Sequence, residues 1–165
     1  MTAIVLPQSD IPAEVLDTIW RRRKAVFIDQ MHWPLTHIDG RKIDEWDGPD
    51  TLMILAGEPL AFSMRIIPEQ HCMVRKLWPD GARYIRPGSH ELSRWVSHGT
   101  HSLQASRAAM ASAIAEMRRR EWWDIFCVST DRVARLQVRL GFNPTEQGKF
   151  GPDVNLCKWN LRVKS

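Results

Sequence analysis

The apolar positions of the chain change period several times, and each change marks an element. Residues 3–6 form a short apolar run that reads as a first strand. Pro12 suits the first turn of a helix, with Ser9 or Asp10 as its cap. Ile11, Val15, Leu16, Ile19, Val26 and Phe27 recur at helical spacing, which predicts a helix from Pro12 to about Gln30. Residues 31–48 lose all periodicity and hold Pro34, Gly40 and many charges; they read as a long loop, and loops of that length are usually functional or mobile. Two apolar runs, 51–56 and 60–67, flank Gly57-Glu58-Pro59 as in a hairpin. A second excursion rich in turn formers, 68–88, leads to a strand at 91–96. Residues 102–121 predict a helix with Leu103, Met110, Ile114 and Met117 on one face. A buried strand follows at 123–129. Thr130 or Asp131 then caps a helix that turns Val133, Leu136 and Leu140 inward and ends at Gly141. A last strand covers 154–161. The order β-α-loop-β-β-β-α-β-α-β predicts an α/β sheet with helices packed on its faces.

A length of 165 residues suits one domain with its own core, and no internal repeat or linker divides it. The three cysteines, Cys72, Cys127 and Cys157, are odd in number and form no CxxC pair. Neither a disulfide framework nor a zinc site is expected, which fits a reducing cytoplasm. Residues 1–6 lack a basic flank, so no signal peptide is expected, and no run is long enough to cross a bilayer. The formal charge of +4 points to an acidic partner, whether nucleic acid, anionic ligand, acidic protein or membrane surface. The eight tryptophans serve either as core filler or as flat walls for a planar or cationic ligand.

Against that basic balance, Asp44, Glu45, Asp47 and Asp50 crowd one short stretch around Trp46. They form either a solvated acidic loop or part of a site; the tryptophan in their midst favours a contact. Arg65 interrupts an apolar strand. It sits either on an exposed edge or in the interior with a partner. In a regular strand, Glu91 and Ser93 point one way and Leu92 and Arg94 the other, so Glu91 and Arg94 each want a partner elsewhere. Asp44, Asp47 and Arg65 are available, as is Arg23 in the run Arg21-Arg22-Arg23-Lys24, some of which forms a solvated helical face. The six histidines show no metal-ligand spacing, no GxSxG elbow or P-loop occurs, and Cys127 reads as core.

Arg23, Phe27, Trp33, Asp44, Asp47, Arg65, Glu91 and Arg94 together resemble the signature of the acyl-homoserine-lactone synthases, the LuxI-type autoinducer synthases. The segments Asp44-Glu45-Trp46-Asp47-Gly48-Pro49-Asp50-Thr51 and Glu91-Leu92-Ser93-Arg94-Trp95-Val96 carry most of the likeness, with Trp46 in place of the usual phenylalanine or tyrosine. The resemblance continues through Val128-Ser129-Thr130 and Arg139-Leu140-Gly141, nearly the whole chain; family members usually continue past the last strand predicted here. It implies a single GNAT-like domain over 1–165, a mixed twisted sheet with helices on both faces. It implies no cofactor but two substrates: S-adenosylmethionine and an acyl thioester, on acyl carrier protein by preference or on coenzyme A. The amine of S-adenosylmethionine is acylated, and lactonisation then releases methylthioadenosine, a quorum-sensing signal synthesis. In that scheme Glu91 is the candidate general base, and Arg94, Asp44, Asp47 and Arg65 complete the catalytic set. Arg23, Phe27 and Trp33 are the candidate S-adenosylmethionine contacts. Ser129, with Thr130, resembles the acyl-selectivity position, where a hydroxyl bonds a 3-oxo or 3-hydroxy group; a helix cap is the plainer role for Thr130. Arg135 and Arg139, extended by residues 118–120, resemble a docking face for the acidic carrier protein, or else form a solvated basic face.

Three rivals stand beside this reading. Arg139-Leu140-Gly141-Phe142 also suits an ordinary GNAT N-acyltransferase using acyl-CoA, although no Q/RxxGxG/A pyrophosphate loop follows 91–96 and Gln137 stands where such enzymes often have tyrosine. A non-catalytic ligand-binding relative would keep the fold without the full charged set. A nucleic-acid binder would share the basic charge, but no such module is recognisable and no nucleic acid is expected as partner. The sequence sets no oligomeric state.

Overall fold

The computed structural model describes residues 1–77, 79–99, 102–151 and 154–162. Its strands are β1 (Ala3–Pro7), β2 (Leu52–Ala56), β3 (Phe62–Pro68), β4 (His90–Ser97), β5 (Asp124–Ser129), β6 (Glu146–Gly151) and β7 (Val154–Asn160). The helices are α1 (Ala13–Arg23), α2 (Met73–Leu77), α3 (Ser102–Arg119) and α4 (Asp131–Arg139). The strands hydrogen-bond in the order β1-β2-β3-β4-β5-β7-β6. The β4–β5 pair is parallel and the β1–β2, β5–β7 and β6–β7 pairs are antiparallel, so the sheet is mixed. Two compact units share the chain: residues 1–65 with 94–112, and 66–93 with 113–165.

In the first unit, β1 and β2 pair from Ala3↔Ala56 to Pro7↔Leu52. The pleat sends Leu6, Met53 and Leu55 to one face, where Ile11, Val15, Leu16 and Ile19 pack on them. Ile54 and Ala56 point to the other face and are as fully buried. Ser112 of α3 donates to the Ala3 carbonyl at 3.3 Å. The helix expected over 12–30 is continuous but changes character: α1 runs to Arg23, and Lys24–Gln30 forms a π-helix, its widened turn closed by the Met31 N–H on the Val26 carbonyl at 3.0 Å.

The buried arc of α3 corrects its expected face. Ala105, Ala109, Met110, Ala113 and Met117 are fully buried, whereas Leu103 is 56% exposed. Leu103 and Ile114 lie just beyond the edge of an arc whose centre is built from alanines; small side chains there let the helix approach its neighbours closely.

In the second unit, Phe126, Val128 and Leu156 share a face with Cys72, Val74 and Ile85 of the 68–88 excursion. The opposite face, with Cys127, Cys157 and Trp159, carries α4. The Gln137 amide bonds the Cys127 sulfur at 3.0 Å and the Trp159 indole N–H bonds the Phe142 carbonyl at 3.2 Å. The Thr130 hydroxyl accepts from the Val133 N–H at 3.5 Å as the α4 cap, and Gly141, at φ +86°, ends the helix in the left-handed conformation that glycine tolerates best. Ala134, Gln137 and Leu140 are the inward residues of this helix. Val133 and Leu136, expected inward, are only partly covered. The strand β6 had no alternating pattern to reveal it; it forms because β7 offers it a partner.

One detail of this unit bears on chemistry. Pairing of β4 with β5 is confined to His90↔Ile125 and Glu91↔Phe126, while β5 stays paired with β7 as far as Ser129↔Asn155. Among the described residues, Cys127–Ser129 of β5 therefore have no ladder partner on the β4 side. Parallel strands that part in this way leave backbone donors and acceptors for an extended ligand to use.

Candidate active site

Of the four successive basic residues at the end of α1, one turns fully inward. Arg21 pairs with Asp17, Lys24 with Asp29, and the Arg22 Nε bonds the Ser97 carbonyl at 2.7 Å. Arg23 is completely buried, and its Nη1 reaches both oxygens of Asp47, at 2.8 and 2.9 Å. The 31–48 loop is thus held by its acids. Asp47 also accepts from Arg65 Nη1 at 2.7 Å and from the Asp44 backbone N–H at 2.8 Å. Asp44 in turn accepts from Arg94 Nε at 2.8 Å and Nη2 at 3.0 Å and pairs with Arg65 Nη2 at 3.0 Å. Thr51 closes the loop, its hydroxyl bonding the Trp46 carbonyl at 2.7 Å. The expected acids and arginines of this unit therefore form one lattice. Arg65 is an interior residue, not an exposed edge residue.

Lys42 belongs to the lattice and was not foreseen. It is buried, its backbone N–H bonds the Trp20 carbonyl at 3.0 Å, and its ammonium pairs with Asp44. A lysine in a charged loop ordinarily reads as solvated; only the packing of the loop against α1 distinguishes it. With Lys42 included, Arg23, Lys42, Arg65 and Arg94 outnumber Asp44 and Asp47 by two charges. An excess of buried positive charge suits an incoming anionic group such as a carboxylate. Arg23 Nε is buried without a hydrogen bond.

The electrostatics follow from this packing. Burial disfavours both carboxylates, but for Asp47 the Arg23 and Arg65 charges outweigh it, and for Asp44 the hydrogen bonds and charge of Arg94, with Arg65, do so. Both pKa values fall below the ordinary carboxylate range. Burial, helped by Arg65 and Arg94, lowers the Arg23 guanidinium to about 10, so it stays charged at neutral pH.

Arg94 reaches Asp44 through an irregular backbone. Its φ of +56° is in the left-handed region, rare for a residue with a β-carbon and least expected inside a strand. The strict alternation expected along 91–96 breaks there. Such departures recur where a side chain is re-aimed at a functional site. The Arg94 guanidinium lies 5.1 Å from the Phe27 ring centroid, and Phe27 stacks on Trp33 at 5.2 Å. Trp46 makes the contact expected of it, with Arg65 at 5.9 Å. Phe27 and Trp33 thus stack on each other beside the charged lattice.

The remaining expected residues belong to the second unit. Glu91 is 1% exposed, and its Oε2 accepts the Met73 backbone N–H at 2.9 Å. Ser129 stands at the end of β5 with its Oγ buried, and Thr130 caps α4. Arg135 and Arg139 project from α4 into solvent, as does Arg132. Arg119 and Arg120 are engaged with Glu116. Among the described residues no His, Cys, Asp and Glu side chains group as a metal site, and no helix is long and apolar enough to cross a membrane.

No protein-family model matches the sequence, and no curated protein matches it. Solved structures match over nearly its full length. The coenzyme-A-dependent acyl-homoserine lactone synthase BjaI, with S-adenosylmethionine and isopentyl-CoA, superposes with a TM-score of 0.78 at 19% identity, covering 98% of this chain and 82% of BjaI. TofI, in a ternary complex with an inhibitor and MTA, gives 0.75 at 19% identity, covering 98% and 92%. A putative N-acetyltransferase from Lactobacillus plantarum gives 0.61 at 11% identity, covering 98% and 99%. The chain therefore has the mixed-sheet α/β fold shared by acyl-homoserine lactone synthases and N-acetyltransferases, the GNAT-like architecture expected from the sequence.

Proposed function

We propose that the chain is an acyl-homoserine-lactone synthase. The observation that carries this reading is the buried lattice itself: the loop acids and strand arginines of the sequence signature are joined to one another beside an aromatic stack. An N-acyltransferase of another kind needs no such arrangement. A substrate that is at once an amino acid and a sulfonium does, since its carboxylate suits the surplus of guanidinium and ammonium groups, and its cationic and planar parts suit Phe27 and Trp33.

In this reading Glu91 removes a proton from the substrate ammonium, directly or through water. The freed amine attacks the thioester carbonyl, a new C–N bond forms and the thiol leaves. The substrate carboxylate then attacks the methionine γ-carbon, the carbon–sulfur bond breaks and methylthioadenosine departs. Arg23 and Arg94 orient the carboxylate, while Asp44, Asp47 and Arg65 hold the loop and the two arginines in place. The β4-side edge of Cys127–Ser129 takes the thioester arm, and Ser129, next to the cap Thr130, meets the acyl chain near its 3-position. Arg135 and Arg139 receive the donor, acyl carrier protein by preference; BjaI's use of coenzyme A keeps acyl-CoA as the alternative.

Incubation with S-adenosylmethionine and a panel of acyl thioesters, on carrier protein and on coenzyme A, tests this reading. Methylthioadenosine and an acyl-homoserine lactone should appear in equal amounts; absence of both products with every donor would refute it. Acylated amine without methylthioadenosine would point to an ordinary N-acyltransferase.

A further inference from the structure

The proposed chemistry gives Lys42 no task, although it is as deeply buried as the arginines around it. Its backbone N–H on the Trp20 carbonyl fixes it against α1. Its ammonium donates to the Ile43 carbonyl at 3.4 Å and to Asp44 Oδ1. That oxygen also takes Arg94 Nη2 at 3.0 Å, while Oδ2 takes Arg94 Nε at 2.8 Å and lies 3.0 Å from Arg65 Nη2. A carboxylate offers about four lone-pair sites, so Asp44 is saturated. Its one negative charge is divided among Lys42, Arg65 and Arg94.

A buried ammonium is costly, and holding the loop does not require it. Arg94 already bonds both oxygens of Asp44, and Asp47 and Thr51 tie the same loop down independently. What Lys42 alone adds is charge. Arg23, Arg65 and Arg94 exceed Asp44 and Asp47 by one positive charge without it and by two with it. It also competes with Arg94 for Asp44 Oδ1. We infer that Lys42 is a positioning residue: by sharing Asp44 it leaves the Arg94 guanidinium incompletely neutralised and ready for the carboxylate of the amino-acid substrate. Lys42 stays on Asp44 and acts through it. This rests on the synthase reading above and sharpens it, because the carboxylate, and not the adenosine part, is then the group whose binding depends on Lys42.

Calorimetry on the full chain compares two ligands that share the thioadenosine part. S-adenosylhomocysteine carries the amino-acid carboxylate and methylthioadenosine does not. Lys42→Gln keeps a donor for Asp44 and removes the charge; Lys42→Met removes both. Either variant should weaken S-adenosylhomocysteine by about tenfold or more, as expected when a unit charge is lost close to a desolvated partner, and leave methylthioadenosine within about twofold of wild type. With two charge-free variants, poor folding of one leaves the comparison intact. An equal or larger loss with methylthioadenosine would mean that Lys42 only holds the loop, and no loss with either ligand would mean that its charge is not used. Each result overturns this inference and leaves the synthase reading standing. No product with any donor refutes the synthase reading, and the inference falls with it.

Discussion

Replacing Asp47 by alanine should be among the most destabilising single changes on the charged loop. The Asp47 side chain is fully buried, and so are the guanidiniums of Arg23 and Arg65 that it neutralises, at 2.8 and 2.7 Å. It also accepts the Asp44 backbone N–H. Truncation would leave two buried cations short of a counter-charge and one buried donor unmet. Breaking a buried ion pair costs about 3–5 kcal/mol because the orphaned charge must be desolvated without compensation. For a chain of this size, each kcal/mol moves the melting temperature by ~2–4 °C. The expected drop is therefore on the order of 10 °C, read by thermal melts and by urea midpoints. The pH dependence gives a second test. The folded pKa of Asp47 is depressed, so the stability it contributes is full above the ordinary carboxylate range and is lost as pH falls through the folded value. The acid limb of the stability curve should flatten in the variant. Asp17→Ala, which removes two partly exposed ion pairs, with Arg21 and with Arg41, should have a far smaller effect. A loss below about 1 kcal/mol for Asp47→Ala would mean that the lattice is not the desolvated network described.

Other outcomes test other parts of the reasoning. Glu91→Gln keeps the acceptor for the Met73 N–H but removes the base, so product formation should fall by at least about 100-fold with little change in melting temperature; unchanged turnover would remove Glu91 from that role. Ala109→Leu should destabilise by ~1–3 kcal/mol through overpacking, whereas Leu103→Gln should be nearly neutral, both measured by urea unfolding. Burial lowers His90 and His98 to about 4, so both should remain neutral down to about pH 5 in NMR titration, and their contribution to stability should be lost as pH falls from the ordinary histidine value of 6.5 toward 4. Arg135→Glu combined with Arg139→Glu should raise KM for an acyl-carrier-protein donor and leave KM for acyl-CoA unchanged; equal effects on both donors would reject the docking face.

The sequence by itself determined the alternation of strands and helices, because burial of one face imposes periods that survive in the order of residues. It also singled out Arg23, Asp44, Asp47, Arg65 and Arg94, since a charge in an apolar strand or an acid in a basic chain demands a partner. It could not say which partner. The pairing of Asp47 with Arg23 and Arg65, and of Asp44 with Arg94, joins residues up to 50 positions apart and depends on how the loop packs on α1. Lys42 and Gln137 were hidden for the same reason: lysine in a loop and glutamine on a helix read as solvated until the fold buries them. The left-handed turn at Arg94 and the early end of β4–β5 pairing have no local signal either. Local sequence fixes a residue's chemistry and its period; burial, partner and the aim of a side chain are set by contacts distant in the chain, and those only the tertiary structure decides.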